Sequence, residues 1–216
     1  MTKTYKAIIW DFGGVFTSSP FDAFNVYEAE RGLPKDFIRT VNATNPLDNA
    51  WAKLEQSLVT AAEFDGMFRA ESKAMGHEIP GGEVLKLLSG GLRPRVVKAL
   101  EVCKQHGKVG CITNNAPVGK GVSMTNDEAK AEQVAKVFTM FDHVIESSKL
   151  GIRKPDPRIY ALMCEALDVD PAECVYLDDI GHNLKPARDM GMTTIKVLSE
   201  DQLLADLQAA TGYDVV

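Results

Sequence analysis

The sequence predicts an α/β protein, a doubly wound parallel sheet with a helical block inserted after its first strand. Three observations predict it. Short apolar runs end abruptly on polar residues, at Trp10-Asp11, Ile112-Thr113 and Leu177-Asp178. Helical patterns separate these runs, and strands that alternate with helices form a parallel sheet. One long stretch, Ser18 to about Gly90, carries helical patterns and no clear strand. The expected layout is therefore a sheet-based core over 1–17 and 91–216 and a helical unit over 18–90.

The elements follow in order. Ala7 to Trp10 is an apolar run bounded by Gly13 and Gly14, the pattern of a short buried strand. Pro20 to Gly32 carries Phe21, Phe24 and Tyr27 at helical spacing and ends on glycine. Pro34 to Val41 and Ala50 to Ser57 are the next two short helices, and Gly81 to Leu88 closes the block. Thr60-Ala61-Ala62-Glu63 is a capping box ahead of a helix through Phe64, Met67 and Phe68. Pro94 opens a helix that runs to Gly107, with proline in its first turn. Lys108 to Asn115 is the second strand, with a hydroxyl and two amides at its C-terminal end. Ala116 to Asn126, with Lys120 between two glycines, is a loop, and Asn126 to Met140 is a helix.

A third strand lies around His143 to Ile145. Asp156 and Pro157 supply the N-cap and first turn of a helix through Tyr160, Met163 and Leu167. Cys174 to Asp179 is the fourth strand, and a helix follows from Asn183 to Met190. Thr194 to Val197 is the last strand, and Ser199-Glu200-Asp201-Gln202 is a second capping box before the final helix.

Composition bounds the function. The chain's 216 residues suffice for one sizeable core plus a smaller unit. Its 45% apolar and 25% charged content is that of an ordinary soluble globular protein. A net charge of −6 argues against nucleic acid or an anionic membrane surface as partner, since both call for a basic face. Cys103, Cys111, Cys164 and Cys174 show no C-x-x-C spacing, so buried free thiols and a reducing compartment are expected. No secretory leader pattern and no apolar run of membrane-spanning length is visible, so a cytoplasmic location is expected.

The polar residues at the strand ends carry the chemistry. Ligands bind outside the carboxyl ends of the strands in open α/β sheets. Asp11, Thr113 and the pair Asp178-Asp179 are expected to meet there, with Lys154 arriving from a loop. Gly13 and Gly14 let the backbone approach a ligand closely. Thr113, Asn114 and the backbone amides beyond them suit an oxyanion. Pro155 and Pro157 hold Lys154 just ahead of a helix start. Adjacent carboxylates call for a compensating cation, and Mg²⁺ is held by one or two of them. The plain reading of each feature alone is a surface turn, a strand end or a solvated charge. Together, a nucleophilic carboxylate, a hydroxyl, a cation and a metal-binding pair suit phosphoryl transfer.

With these residues in place, the chain resembles the haloacid dehalogenase (HAD) superfamily. Asp11-Phe12-Gly13-Gly14-Val15 is similar to its first motif and Thr113-Asn114-Asn115 to its second. Lys154-Pro155-Asp156 is similar to the third, and Asp178-Asp179 with Asn183 to the fourth. The helical block resembles the family's C1-type cap on a Rossmann-like core. Trp51-Ala52-Lys53-Leu54-Glu55, with Thr60 and Phe64, resembles the branch that includes the N-terminal phosphatase domain of soluble epoxide hydrolase and bacterial sugar-phosphate phosphatases.

The resemblance implies a Mg²⁺-dependent hydrolase acting on a small phosphorylated metabolite, with Asp11 as nucleophile and an aspartyl-phosphate intermediate. It implies Mg²⁺ held by Asp11, the carbonyl of Gly13 and Asp178, with Asp179 orienting a water. Thr113, Asn114, Gly14 and Lys154 would hold the phosphoryl oxygens. One position departs from the family: most of its phosphatases carry a second Asp two residues after the nucleophile, and here that residue is Gly13. The carbonyl ligand survives and the side-chain acid/base is lost.

Three other readings stand beside this one. A 2-haloacid dehalogenase on the same scaffold needs neither metal nor second Asp, which Gly13 favours and Asp178-Asp179 opposes. A phosphoryl-ligand binder without turnover is the second. A phospho-acceptor receiver domain is the third, but that family places its acidic pair after the first strand and is much shorter.

Overall fold

The computed structural model describes residues 4–116, 119, 124–125 and 127–216. Lys120 and Asn126, assigned above to a loop and a helix start, lie outside the described residues.

Five parallel strands form one sheet: β1 (Ala7–Trp10), β2 (Lys108–Thr113), β3 (His143–Glu146), β4 (Cys174–Asp178) and β5 (Thr193–Lys196), in the order β3-β2-β1-β4-β5. β1 lies at the centre. Its Trp10 pairs in register with Cys111 of β2 and Leu177 of β4. Asp11 therefore leaves the sheet level with Ile112 and Asp178.

Alternation along the strands sorts residues onto the two faces. Ile8, Trp10, Val109, Cys111, Val175 and Leu177 join one apolar cluster, which takes in α6 (Pro94–His106), α7 (Glu128–Phe138) and α11 (Glu200–Thr211). Ala7, Ile9, Ile112 and Tyr176 join the other, with α9 (Pro157–Leu167) and α10 (Gly181–Asp189). Helices on both faces of a parallel sheet make the doubly wound architecture expected from the sequence. The four cysteines are free and buried. No helix among the described residues is long and apolar enough to cross a membrane.

Between β1 and α6 the chain forms only helices: α1 (Pro20–Glu30), α2 (Phe37–Ala43), α3 (Ala50–Glu55), α4 (Ala61–Ala74) and α5 (Gly81–Lys86). They close around their own apolar cluster of Phe24, Ile38, Leu54, Phe64, Phe68 and Val84. An antiparallel bridge between Thr17 and Leu92 joins the points where the chain leaves and re-enters the sheet-based part. The Thr60–Glu63 capping box forms in full.

Several boundaries differ from the sequence reading. α2 begins at Phe37 rather than Pro34, because Asp36 takes a left-handed conformation (φ 62°) and starts the helix there. α7 begins at Glu128, where the Asp127 carboxylate caps the Lys130 amide. A short helix, α8 (Ser147–Leu150), follows β3 directly. The second capping box is half formed. Ser199 caps Gln202, but the Gln202 side chain accepts from Leu198 N and donates to the Lys196 carbonyl, tying the end of β5 to α11.

Gly110 of β2 faces α9 so closely that a Cβ there would lie 2.6 Å from Met163 Sδ and 3.0 Å from Leu167 Cδ1. Gly110→Val is therefore expected to overpack this contact and destabilise the fold by about 1–3 kcal/mol in chemical denaturation. An unchanged midpoint would mean that α9 is free to slide outward.

Candidate active site

Asp11 follows the last residue of β1, and its amide donates to the Leu177 carbonyl at 2.8 Å, which extends the ladder by one residue. The carboxylate is buried. Its Oδ1 accepts from Phe12 N at 2.6 Å and lies 2.8 Å from the Lys154 ammonium. Among the described residues Oδ2 has no hydrogen-bond partner and is the oxygen left for chemistry.

Lys154 is 1% exposed, unusual for a lysine, and pairs with both Asp11 and Asp178 at 2.8 Å. Local structure aims it. Asn114, just past β2, closes a two-way clamp on the Lys154 backbone: Lys154 N donates to Asn114 Oδ1 at 2.9 Å, and Asn114 Nδ2 donates to the Lys154 carbonyl at 3.0 Å. Two residues on, Asp156 caps the Arg158 amide at the start of α9. Burial alone would push the Lys154 ammonium down, but Asp11 and Asp178 outweigh it and hold it above its usual value.

The carboxylates of the Asp178-Asp179 pair have different surroundings. Asp178 is wholly buried, and its oxygens accept from Lys154 Nζ, Tyr176 Oη (2.5 Å), Asn183 Nδ2 (3.1 Å) and Ile180 N (2.8 Å). Asp179 lies over Gly14 (φ 72°), where any Cβ would fall 2.1 Å from its Oδ2. Gly14 is thus required both by its left-handed backbone and by this contact. Burial, with repulsion from Asp178, pushes Asp179 up to about 7. Asp11 is also raised, by burial first and then by Asp178 and Asp179, against the pull of Lys154.

Ligand atoms of Asp11, Asp178 and Asp179 lie within 4.8 Å of one another. When ionised, these three carboxylates and Lys154 leave two negative charges unbalanced, the charge of one divalent cation. That excess and the oxygen-only donor set fit a hard ion such as Mg²⁺.

A cavity of about 480 Å³ opens on this cluster, and Asp11, Gly13, Thr113, Asn114, Lys154 and Asp179 all line it. Helices α1–α3 supply its opposite wall. All the residues singled out from the sequence thus meet in one place, but Asn114 reaches the cluster by gripping the Lys154 backbone.

Three site residues escaped the sequence reading. Tyr176 bonds Asp178, and its i, i+2 position on one strand put both on the same face, a usable signal. Arg93 donates to the Gly14 carbonyl at 2.8 Å and to the Val15 carbonyl at 3.2 Å. Arg153 pairs with the buried Glu55 of α3 at 2.8 Å. Neither arginine had a local signal.

Comparison with known proteins places these features. A family model described as haloacid dehalogenase-like hydrolase matches residues 5–191. Bifunctional epoxide hydrolase 2 of Mus musculus is 31% identical over 218 residues, covering 96% of this chain and 39% of that protein. The chain therefore spans about two-fifths of that relative's length. Phosphatase MT3486 of Mycobacterium tuberculosis (strain CDC 1551 / Oshkosh) is 29% identical over 206 residues, 87% of this chain and 84% of that protein. Among solved structures, a HAD family enzyme of Bacteroides thetaiotaomicron, in complex with magnesium and inorganic phosphate, superposes with a TM-score of 0.57 at 19% identity. That match covers 91% of this chain and 96% of that one, and at this identity it speaks to the fold.

The charge balance yields a pH prediction. Asp179, pushed up to about 7, holds a proton below that pH which a cation must displace, and Asp11, also raised, adds to the same effect. Lowering the pH from about 8 to about 6 is expected to weaken Mg²⁺ binding about tenfold, with proton release on binding, as measured by calorimetry in two buffers. A pH-independent affinity would remove Asp179 from the metal site.

Proposed function

The chain belongs to the haloacid dehalogenase-like hydrolase family, and within it we propose that this protein is a Mg²⁺-dependent phosphatase of a small phosphorylated metabolite, working through Asp11. The observation that carries the reading is the cluster of buried Asp11 and Asp178, half-buried Asp179 and buried Lys154, two charges short of neutrality when the carboxylates are ionised, on the floor of a cavity. The relative named Phosphatase MT3486 and the neighbour solved with magnesium and inorganic phosphate support it. The helical block, residues 18–90, then acts as the cap that encloses the substrate.

Asp11, the Gly13 carbonyl and the acidic pair are the residues that would hold Mg²⁺. Asp178 already accepts from four groups, so Asp179 is the better-placed ligand of the two, and Asp178 anchors Lys154. When bound, Mg²⁺ supplies positive charge to the phosphoryl oxygens and offsets the carboxylates. Lys154 and Phe12 N hold Asp11 Oδ1, which sets the carboxylate for attack through Oδ2. Asp11 attacks phosphorus, the bond from phosphorus to the leaving oxygen breaks, and Asp11 carries the phosphoryl group as an aspartyl-phosphate. Water then releases phosphate and restores the carboxylate. Thr113 and Lys154 offset the charge that develops on the phosphoryl oxygens.

A phosphate-ester screen with and without a chelator tests this reading. Phosphate release that depends on Mg²⁺ and drops by about 10³-fold or more in Asp11→Asn is the expected outcome. Activity indifferent to chelation, on haloacids instead of esters, would replace phosphatase with dehalogenase.

Gly13 supplies no acid for the leaving group. Aryl and acyl phosphates, whose leaving groups need little protonation, are expected to turn over better than alkyl phosphates. A Cβ at Gly13 would meet no atom within 4 Å, and its φ lies outside the left-handed region, so a side chain can start there without backbone strain. Gly13→Asp is expected to raise turnover of alkyl phosphates by about 10²-fold, with much less effect on aryl phosphates. A folded, Mg²⁺-binding Gly13→Asp protein with no gain on any alkyl ester would count against phosphomonoester hydrolysis.

A further inference from the structure

The wall that faces Asp11 is apolar and aromatic. Phe21 and Phe24 of α1, Trp51 of α3, Leu88 and Met124 line the same cavity as Asp11 and Lys154. A hydroxyl held against the aromatic part of this wall would find no partner there, which weakens binding. An apolar body releases water there instead.

Polar residues interrupt the wall, among them Glu55 and Arg153, which pair with each other, and Arg39 and Asn42. Arg39 and Asn42 both line the cavity and lie three residues apart, on one face of α2. The outer nitrogens of Arg39 are committed: Nη1 to Asp36 at 3.0 Å, and Nη2 to the Phe21 carbonyl at 3.4 Å and to Asn25 Oδ1. The guanidinium lies 4.8 Å from the centre of the Phe21 ring. Arg39 Nε and Asn42 Oδ1 are buried with no hydrogen-bond partner among the described residues. Buried polar atoms are nearly always paired in folded proteins, so a lone donor and a lone acceptor beside a ligand cavity mark what the ligand brings. One group that both accepts and donates, a hydroxyl, would satisfy both.

We propose that this cavity takes the aromatic leaving group of a phosphate monoester, and that Arg39 and Asn42 select a hydroxyl carried on that group. The assignment rests on the phosphatase reading for its reacting phosphoryl group. It rests on the wall, not on the chemistry at Gly13, for the shape and polarity of the rest.

Phosphonates, whose carbon–phosphorus bond is not hydrolysed, test it without turnover. Affinities of the Mg²⁺-loaded protein for methylphosphonate, phenylphosphonate and 4-(hydroxymethyl)phenylphosphonate are measured by calorimetry. Each step along that series is expected to tighten binding by about tenfold or more. In Asn42→Leu and in Arg39→Met the second step is expected to vanish while the first persists. Ratios within one protein remove differences in overall stability, and the wild-type series alone is decisive should a variant fail to fold. Equal affinity for methyl and phenyl, or no binding of any phosphonate, overturns the aromatic assignment. A second step that is absent from the wild type, or kept in both variants, overturns the role of Arg39 and Asn42. The expected affinities without Mg²⁺-dependent phosphate release from phenyl phosphate would uphold the cavity assignment and sink the phosphatase reading. Equal kcat/KM for acetyl and phenyl phosphate would do the reverse.

Discussion

The ammonium of Lys154, buried between Asp11 and Asp178 at 2.8 Å from each, is the interaction on which the site depends. A charge removed from water is tolerated only where partners replace its hydration, and taking away one partner of such a group leaves the rest uncompensated. The two carboxylates meet there because β1 and β4 run parallel, with Trp10 opposite Leu177. The lysine meets them because Asn114, at the end of β2, grips its backbone from both sides. Three adjacent strand ends and the start of α9 are thereby joined through one side chain. The same pairing sets the acidic residues apart: Asp178 is occupied by its donors, and Asp179 carries one of the two charges still to be balanced.

The loop that carries Lys154 also faces the helical block. Arg153 pairs with Glu55, whose carboxyl burial pushes up and Arg153 draws back, and donates to the Pro46 carbonyl at 2.9 Å. Ser147 Oγ, on the short helix after β3, donates to the Glu55 carbonyl at 2.8 Å. Consecutive residues thus secure the reactive floor and the apolar wall above it. The charged cluster and the apolar wall come from different parts of the chain, tied together by the Lys154 loop and by the short helix after β3.

The two glycines after Asp11 illustrate how one sequence feature can hide two physical causes. Gly14 has positive φ and no room for a Cβ beneath Asp179. Gly13 has open space and no such backbone demand. Glycine at position 14 is a steric requirement of the site. At position 13 space does not demand it, and under the proposed phosphatase reading its consequence is chemical: no side-chain acid beside Asp11.

The sequence by itself determined the alternation of strands and helices, the polar residues at the strand ends, the Thr60 and Asp156 caps, and the helical nature of the block after β1. These follow from periodicity, turn chemistry and capping, all written among residues a few positions apart. Helix starts set by a single backbone conformation, as at Asp36, were less legible, because left-handed φ at a non-glycine residue has no firm local signature. Only the tertiary structure decided that Asn114 would hold Lys154, that Asp178 and Asp179 would differ in surroundings, that Arg153 would find Glu55 and that Arg39 and Asn42 would line the same cavity as Asp11. Each of these depends on strand register and on packing between segments far apart in the chain, and nearest-neighbour patterns carry no record of such pairings.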